Sequence, residues 1–234
     1  MGRNLARWLL VLAFATSSCL ALGQETKTPA KTFRLDSLSG LEIMNIKADV
    51  VDYRGRRAVR LHKLESQDLM VNQTKDSLAI LGGTDFKDGT IEAEIAGLPA
   101  EGAAADARGF IGIAFRVTKH GERYECFYIR PTNGRADEQV RRNHSVQYVS
   151  APDYPWHRLR KEHPGEYESY ADLEAGAWTK IKIVVAGTKA KLYLNDAEQP
   201  CLIVNDLKLG DSRGRIALWT TVETDGYFSN LTVK

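Results

Sequence analysis

The sequence predicts an all-β protein whose main part, after an N-terminal signal segment, is a two-sheet antiparallel β-sandwich. Three observations indicate this fold class. Short segments alternate apolar and polar residues with a period of two, as strands do when one face lies in a core. Gly, Asn and Asp residues separate these segments. No long segment keeps the 3.6-residue apolar period of a helix, and strands do not alternate with helices, which excludes a parallel α/β fold.

The alternation locates the strands along the chain. Ile91, Ala93 and Ile95 face one way, and the glutamates between them face the other. The same pattern predicts further strands within residues 111–117, 124–129, 181–185, 192–194, 216–221 and 227–233. The small, flexible stretch 100–107 predicts a loop, and residues 186–189 predict the turn of a hairpin.

Residues 1–23 have the composition of a Sec signal peptide. Arg3 and Arg7 give a positive start, and an unbroken apolar run covers 8–15. A small-x-small pattern at 21–23 follows, as expected at a signal peptidase site. The apolar run is too short to span a membrane. We therefore expect a periplasmic or secreted protein with no transmembrane segment in its mature form.

The chain after the signal divides into a polar linker at residues 24–32 and one domain at 33–234. A domain of about 200 residues supplies one sizeable core. A lipoprotein attached through Cys19 is the less favoured alternative. Thr16 stands three positions before this cysteine, where a lipobox normally carries Leu.

The charge balance gives no reason to expect a nucleic acid partner. The chain has 32 Lys and Arg against 30 Asp and Glu, and two of the basic residues fall in the signal segment. The mature part is therefore neutral overall, without the basic excess that phosphate binding requires. The sequence carries no signal for an oligomeric state.

Two cysteines, Cys126 and Cys201, remain in the mature chain. Both lie in apolar strand-like runs, where a free thiol behaves as a small hydrophobic group. An exported pair can also form a disulfide. We favour two buried thiols, because a domain of this size does not need a covalent cross-link.

A long inserted segment at about 131–176 separates two predicted strands and is rich in aromatic, charged and amide side chains. Such segments are usually functional or disordered, and the aromatic content argues against disorder. Flat aromatic faces beside hydrogen-bonding groups suit sugar rings. We predict a carbohydrate-binding site formed by Arg130, Asn133, Arg135, Asp137, Arg142, Tyr148, Tyr154, Trp156 and Arg158. The alternative is an ion network that holds the loop, with Trp156 in the core.

Six short motifs extend over almost all of residues 33–234. They are residues 86–92 (FKDGTIE), 109–116 (GFIGIAFR), 123–127 (RYECF), 177–181 (AWTKI), 192–195 (LYLN) and 214–219 (GRIALW). Together they resemble a concanavalin A-like family labelled 3-keto-disaccharide hydrolase-like, whose members are also described as family-16-like glycoside hydrolases. The block at 130–137, together with Tyr154-Pro155-Trp156, is similar to a bacterial branch of such proteins. The resemblance implies a jelly-roll fold and a role in carbohydrate chemistry.

One departure from that family narrows the expected activity. Family-16 glucanases carry both catalytic carboxylates in a Glu-x-Asp-x-Glu pattern on one strand. The only Glu-x-Asp here is Glu223-Thr224-Asp225, which lacks the second Glu and leads into the last predicted strand. A standard glucanase mechanism is therefore not expected.

Glu125 and His144 are the candidate catalytic residues. Glu125 matches a strand glutamate of the resembled family, and in a cleft its raised pKa would suit a general acid or base. The structural alternative is a salt bridge from Glu125 to Arg116 on the adjacent strand. His144 could transfer a proton or make a hydrogen bond within its loop.

We expect no cofactor and no metal site. His144, His157 and His163 lack the tight spacing of a zinc motif, and the chain contains no phosphate loop or nucleophile elbow. Structural calcium held by loop oxygens is left open.

Three functions are compatible with these observations. The first is an exported glycoside hydrolase or lyase, with 3-keto-glycosides among its substrates. The second is a non-catalytic carbohydrate-binding domain that uses the region from Tyr148 to Trp156. The third is a structural or adhesion domain of the cell envelope.

Overall fold

Two antiparallel β-sheets pack face to face, as the alternation predicts. The computed structural model describes residues 30–63 and 77–234. The predicted signal peptide at 1–23, the lipidation candidate Cys19 and linker residues 24–29 lie outside the described residues. The architecture is a jelly-roll β-sandwich, so the predicted fold class is confirmed.

Sheet A contains eight strands in the spatial order β13-β12-β11-β6-β15-β4-β3, and β1 pairs with β15 beside this path. Its strands are β1 (Lys31–Phe33), β3 (Lys47–Tyr53), β4 (Arg56–His62), β6 (Gly89–Pro99), β11 (Thr179–Ala186), β12 (Lys189–Leu194), β13 (Leu202–Val204) and β15 (Thr224–Val233). The hairpin predicted at 186–189 is the connection between β11 and β12. Strand β1 begins at Lys31, inside the segment predicted as a linker.

Sheet B contains seven strands in the order β10-β9-β8-β7-β14-β5-β2. Its strands are β2 (Leu41–Met44), β5 (Ser77–Phe86), β7 (Ile111–Val117), β8 (Tyr124–Ile129), β9 (Val146–Ala151), β10 (Glu168–Ser169) and β14 (Gly214–Thr220). Within residues 30–63 and 77–234, the helical elements are a 3₁₀ turn (Pro131–Asn133), α1 (Gln139–Asn143) and α2 (Trp156–Glu162).

The core lies between the sheets and is apolar. Side chains at alternate positions of each strand point inward, among them Ile95 and Phe228 from sheet A and Ile113 and Phe127 from sheet B, all fully buried. Phe115 packs on Phe127, with ring centroids 6.2 Å apart. The opposite face of sheet B points away from this core, so a second set of alternate residues is available for a site.

The inserted segment contributes to sheet B instead of forming a separate unit. It supplies β9, which pairs with β8 from Ile129↔Val146 to Tyr124↔Ala151, and β10 at the sheet edge. After β9 the chain turns back, so that Tyr154 forms an antiparallel backbone bridge with Ser150. Pro155 then precedes the first turn of α2. This turn places Trp156 above the outer face of the sheet.

Both cysteines in the described part of the chain are free thiols, as favoured from the sequence. Cys126 is buried, whereas Cys201 is only partly buried. Burial raises the pKa of the Cys201 thiol to about 11. Among residues 30–63 and 77–234, no helix has the length and apolar character needed to cross a membrane.

Candidate functional site

A slot of about 380 Å³ opens on the outer face of sheet B. Strands β8, β9 and β14 form its floor, and the turn after β9 together with the start of α2 forms one wall. The lining is mostly aromatic and apolar: Phe110, Tyr124, Tyr128, Val149, Ser150, Ala151, Pro152, Pro155, Trp156, Trp219 and Thr221. A slot of this size and character suits one or two small rings.

Gly112 makes the floor of the slot possible. On either side of it in the sheet stand Tyr128 of β8 and Trp219 of β14, each directly opposite Gly112 in the strand register. Because Gly112 has no side chain, the two rings meet above it and stack, with centroids 4.7 Å apart and planes 26° apart. The stacked pair lines the floor of the slot, and both residues are buried.

Hydrogen bonds hold the polar ends of these rings. Trp219 Nε1 donates to Tyr124 Oη at 3.0 Å, and Arg130 Nη2 donates to Tyr128 Oη at 2.9 Å. Phe110 packs edge-on against Tyr128, with centroids 5.8 Å apart. Burial raises the pKa of Tyr128 to about 12, so this phenol stays protonated at neutral pH. The floor is therefore rigid and uncharged.

We expect Gly112→Ala to lower the free energy of unfolding by about 1–3 kcal/mol. The added Cβ would lie 2.2 Å from the Phe127 carbonyl oxygen and 2.6 Å from Tyr128 Cβ, so strand β8 must move. Gly226→Ala is the matched control, since its Cβ would approach no atom closer than 3.3 Å. Urea unfolding of the three proteins measures the difference. Equal losses in both variants would contradict this role of Gly112.

A second cavity, the arginine cleft, adjoins the slot and shares Phe110 and Trp156 with it. Its volume is about 460 Å³. The remaining lining is mostly polar and charged: Asp106, Ala107, Arg108, Arg130, Asn133, Glu138, Val140, Arg141, His144, Arg160 and Glu223. Trp156 stands at the junction, 45% exposed, with the Arg160 guanidinium 4.8 Å from the centre of its ring.

Arg130 forms the inner wall of the arginine cleft and is only 5% exposed. Its guanidinium donates to the His144 carbonyl oxygen at 2.7 Å, to Tyr128 Oη and to Gln147 Oε1 at 3.2 Å. It also lies over the Phe110 ring at 5.5 Å. All these partners are uncharged. Burial accordingly lowers the pKa of Arg130.

His144 also lines the arginine cleft. Its Nδ1 lies 2.8 Å from Glu168 Oε2, at an angle that does not make a hydrogen bond. Glu168 is instead held by Arg160, with Nη2 to Oε2 at 2.7 Å and Nε to Oε1 at 3.1 Å. Burial lowers the pKa of His144. The positive charges of Arg160 and Arg130 lower this pKa further, whereas the negative charge of Glu168 raises it. The imidazole is therefore neutral at neutral pH.

Glu125 lies in the interior of the sandwich and not in either cavity. Its side chain is fully buried on the inner face of β8. Its Oε2 accepts a hydrogen bond from Tyr148 Oη at 2.6 Å, and its Oε1 accepts one from the Leu209 backbone N–H at 2.7 Å. Tyr148 Oη in turn accepts from the Lys208 backbone N–H at 2.9 Å. Glu125 and Tyr148 thus anchor the connection between β13 and β14.

The structure brings four of the predicted site residues together at the arginine cleft and separates the others from it. The four are Arg130, Asn133, His144 and Trp156. The remaining predicted residues make local contacts elsewhere on the inserted segment. Arg135 pairs with Asp172 and Glu174, Arg142 donates to Tyr170 Oη, Arg158 pairs with Glu162 and covers the Tyr154 ring, and Asp137 is exposed. The ion pairs of Arg135 and Arg158 are exposed and do not form a buried network. Sugar binding by these side chains stays a prediction.

Sequence reasoning missed the floor of the slot. Tyr124 and Tyr128 were interpreted only as part of an alternating strand, and Trp219 as part of another. The available signal was Gly112, a residue without a side chain inside an apolar strand, which often marks close packing of neighbours. Arg108, Arg141 and Arg160 of the arginine cleft were also missed, because they come from three separate loops or helices.

Metal binding has no donor set in the described part of the chain. Among residues 30–63 and 77–234, no group of three or more His, Cys, Asp or Glu side chains has the arrangement that a metal ion needs. The chemistry that the two cavities offer is ring stacking, hydrogen bonding and contact with guanidinium groups.

Comparison with known proteins supports the fold. No family model matches the sequence, and no curated protein is similar to it. Among solved structures, carbohydrate binding module CBM66 from Bacillus subtilis superposes with a TM-score of 0.56 at 15% identity, over 83% of this chain and 96% of that chain. The match shows that the two chains share a fold.

Two further structures share this fold. The exoplasmic/lumenal domain of VIP36, in a Ca²⁺/Man3GlcNAc-bound form, gives a TM-score of 0.54 at 10% identity over 88% of this chain and 90% of that chain. The Crh5 transglycosylase in complex with NAG gives 0.52 at 10% identity, over 88% and 83%. One fold thus carries a binding module, a sugar-bound lumenal domain and a transglycosylase, and a function for this chain has to be argued from its own site.

Proposed function

We propose that this chain is an exported carbohydrate-binding domain and that the slot on sheet B holds a sugar ring of the ligand. The aromatic floor and the exposed Trp156 at the rim carry the proposal. Sugar rings present axial C–H groups that pack on aromatic faces, while their hydroxyls need hydrogen-bonding groups at the edge. The slot supplies an aromatic lining with the exposed Trp156 ring at its rim, and the adjoining arginine cleft supplies the donors.

Binding fits the site better than hydrolysis by paired carboxylates. Among the residues that the structure describes, none of those lining the slot is Asp, Glu or His. Glu125 has both carboxylate oxygens engaged by buried donors on the other side of the sheet. The relatives in fold that bind sugars, by their printed descriptions, agree with the proposal, and the resemblance to the 3-keto-disaccharide hydrolase-like family places 3-keto-glycosides among the ligands to be tested.

A glycoside hydrolase or lyase is the second candidate, and His144 is the observation that favours it. A neutral imidazole in a cleft next to the slot can accept a proton from a bound sugar. Product analysis separates the two functions. A bound glycan, including a 3-keto-glycoside, that is recovered intact after prolonged incubation supports binding alone, and release of shorter sugars supports the enzyme.

We expect Trp156→Ala to weaken binding of a glycan by about 1–3 kcal/mol, because the exposed ring loses its contact with the sugar. A glycan array identifies the ligand, and titration calorimetry on the mature chain measures the affinity. Lys161→Ala is the matched control, since this residue is exposed on the same helix and lies outside both cavities. Unchanged affinity in a folded Trp156→Ala protein would contradict the slot as the binding site.

A further inference from the structure

The arginine cleft holds guanidinium groups that make no direct ion pair among the described residues. Within the part of the chain that the structure describes, no carboxylate oxygen lies within 4.0 Å of Arg108, Arg130 or Arg141. Arg160 differs, because it donates three hydrogen bonds to the Glu168 carboxylate. Three positive charges therefore face one cavity without a direct ionic partner.

The contacts of Arg141 resemble those of Arg130 in being uncharged. Arg141 Nε donates to Asn133 Oδ1 at 3.1 Å, and its Nη2 donates to Thr132 Oγ1 at 3.4 Å. Asn133 is itself buried and donates to the His144 carbonyl oxygen at 3.2 Å. These neutral partners fix the orientation of the Arg141 guanidinium without neutralising its charge.

The acidic residues of the arginine cleft lie at its outer edge. Asp106, Glu138 and Glu223 also line it, and all three are exposed. Solvent screens exposed carboxylates strongly, whereas a buried guanidinium such as Arg130 keeps most of its field. Burial lowers the pKa of Arg108, and the nearby charge of Arg141 lowers it further, while Asp106 and Glu138 act in the opposite direction. The inner part of the cleft is thus positive.

We infer, on the premise of the proposed carbohydrate function, that the ligand is an acidic glycan whose anionic group enters the arginine cleft. The slot would hold one sugar ring, and the carboxylate of a uronic acid or a sulfate group on the same or the next residue would contact Arg130 and Arg141. Both anions match the paired N–H groups of a guanidinium. The shared residues Phe110 and Trp156 make the two cavities continuous, so a single ligand can occupy both.

The test compares matched acidic and neutral ligands on the mature chain. Hexasaccharides of galacturonic acid and of mannuronic acid are titrated beside their carboxyl-reduced counterparts, which differ only in the loss of charge. A hexasaccharide of neutral sugars that carries sulfate as its only charged group, and its desulfated neutral form, make up the second arm. The variants are Arg141→Gln and Arg130→Gln, with Arg57→Gln, exposed on sheet A, as the control. Unfolding curves confirm that each variant is folded.

We expect an acidic ligand to bind at least about tenfold tighter than its neutral counterpart, and Arg141→Gln to remove most of that preference. Trp156→Ala should weaken the acidic and the neutral member by the same factor. A preference confined to one arm identifies carboxylate or sulfate as the anion. If Arg130→Gln does not fold, Arg141→Gln alone decides the outcome.

Two results would overturn the inference, and only one of them would also contradict the proposed carbohydrate function. If acidic and neutral members bind with equal affinity, and Arg141→Gln does not change this, the ligand is not an acidic glycan. The proposed carbohydrate function is then unaffected. Failure of every glycan on the array and of every hexasaccharide to bind removes the proposed function and this inference together.

Discussion

Replacing Arg116 by Met should lower the free energy of unfolding by about 3–5 kcal/mol. Arg116 is almost completely buried at the end of β7, where its guanidinium donates to three backbone carbonyls. The acceptors are Lys87 O at 2.9 Å, Gly187 O at 2.7 Å and Gly210 O at 2.6 Å. They belong to the β5–β6 turn, the β11–β12 hairpin and the β13–β14 connection, so one side chain joins loops of both sheets. Methionine fills a similar volume but leaves the carbonyls without donors.

Urea unfolding followed by fluorescence measures this effect, with Arg213→Met as the control. Arg213 makes an exposed ion pair with Asp85 at 2.9 Å, and loss of such a pair changes stability by less than about 1 kcal/mol. Arg116 lies at the end of β7, whereas the arginine cleft lies before its start. Ligand affinity should therefore survive in the folded fraction of Arg116→Met. A stability equal to that of Arg213→Met would refute the role assigned to Arg116.

Replacing Glu125 by Ala should lower the free energy of unfolding by about 2–4 kcal/mol. The change removes the acceptor for Tyr148 Oη and for the Leu209 backbone N–H, both of which lie away from water, and it leaves a cavity between the sheets. Glu125→Gln should lower the free energy of unfolding by less, because the amide keeps one acceptor oxygen. Neither change should alter glycan affinity of the folded protein. Loss of affinity in Glu125→Gln at full stability would restore Glu125 as a site residue.

The pH dependence of Glu125→Gln gives a second measurement on the same residue. Burial raises the pKa of Glu125 above its ordinary value of 4.5, although its hydrogen bonds oppose the shift. The folded protein therefore holds this proton more tightly than the unfolded chain does. The stability of the wild type relative to Glu125→Gln is fully present below about 4.5 and falls as pH rises through the raised pKa. Parallel pH profiles for the two proteins would show that Glu125 ionises as an exposed carboxylate does.

The sequence predicts the sandwich well, because a period of two is a local property of each strand. It also predicts Arg130, Asn133, His144 and Trp156 as members of one site, and these residues line one cleft, because they belong to one polar segment that strands do not need. It fails for the slot floor, where Tyr128 and Trp219 meet only through the register of three strands distant in the chain. Pairing register is not visible in a single strand's pattern.

The burial of Glu125 in the interior of the sandwich is not predictable from the sequence for a related physical reason. Alternation correctly separates Glu125 from Tyr124 and Tyr128, but it does not show which face of the strand meets the other sheet. A buried glutamate is rare, so its position in a strand suggests a cleft. The partners that make its burial tolerable, Tyr148 and the backbone of Leu209, come from another strand and from a distant loop. Only the assembled fold reveals them.

The stacked pair above Gly112 affects the rate at which a ligand associates with the slot. Tyr128 and Trp219 are each held by a hydrogen bond, by one another and by the sheet beneath them. Such rings have little rotational freedom to lose when a ligand arrives, so most of the entropy cost of association falls on the sugar. A site that is ready in advance should show single-step association whose rate rises linearly with ligand concentration, with affinity differences between variants appearing mainly in the dissociation rate.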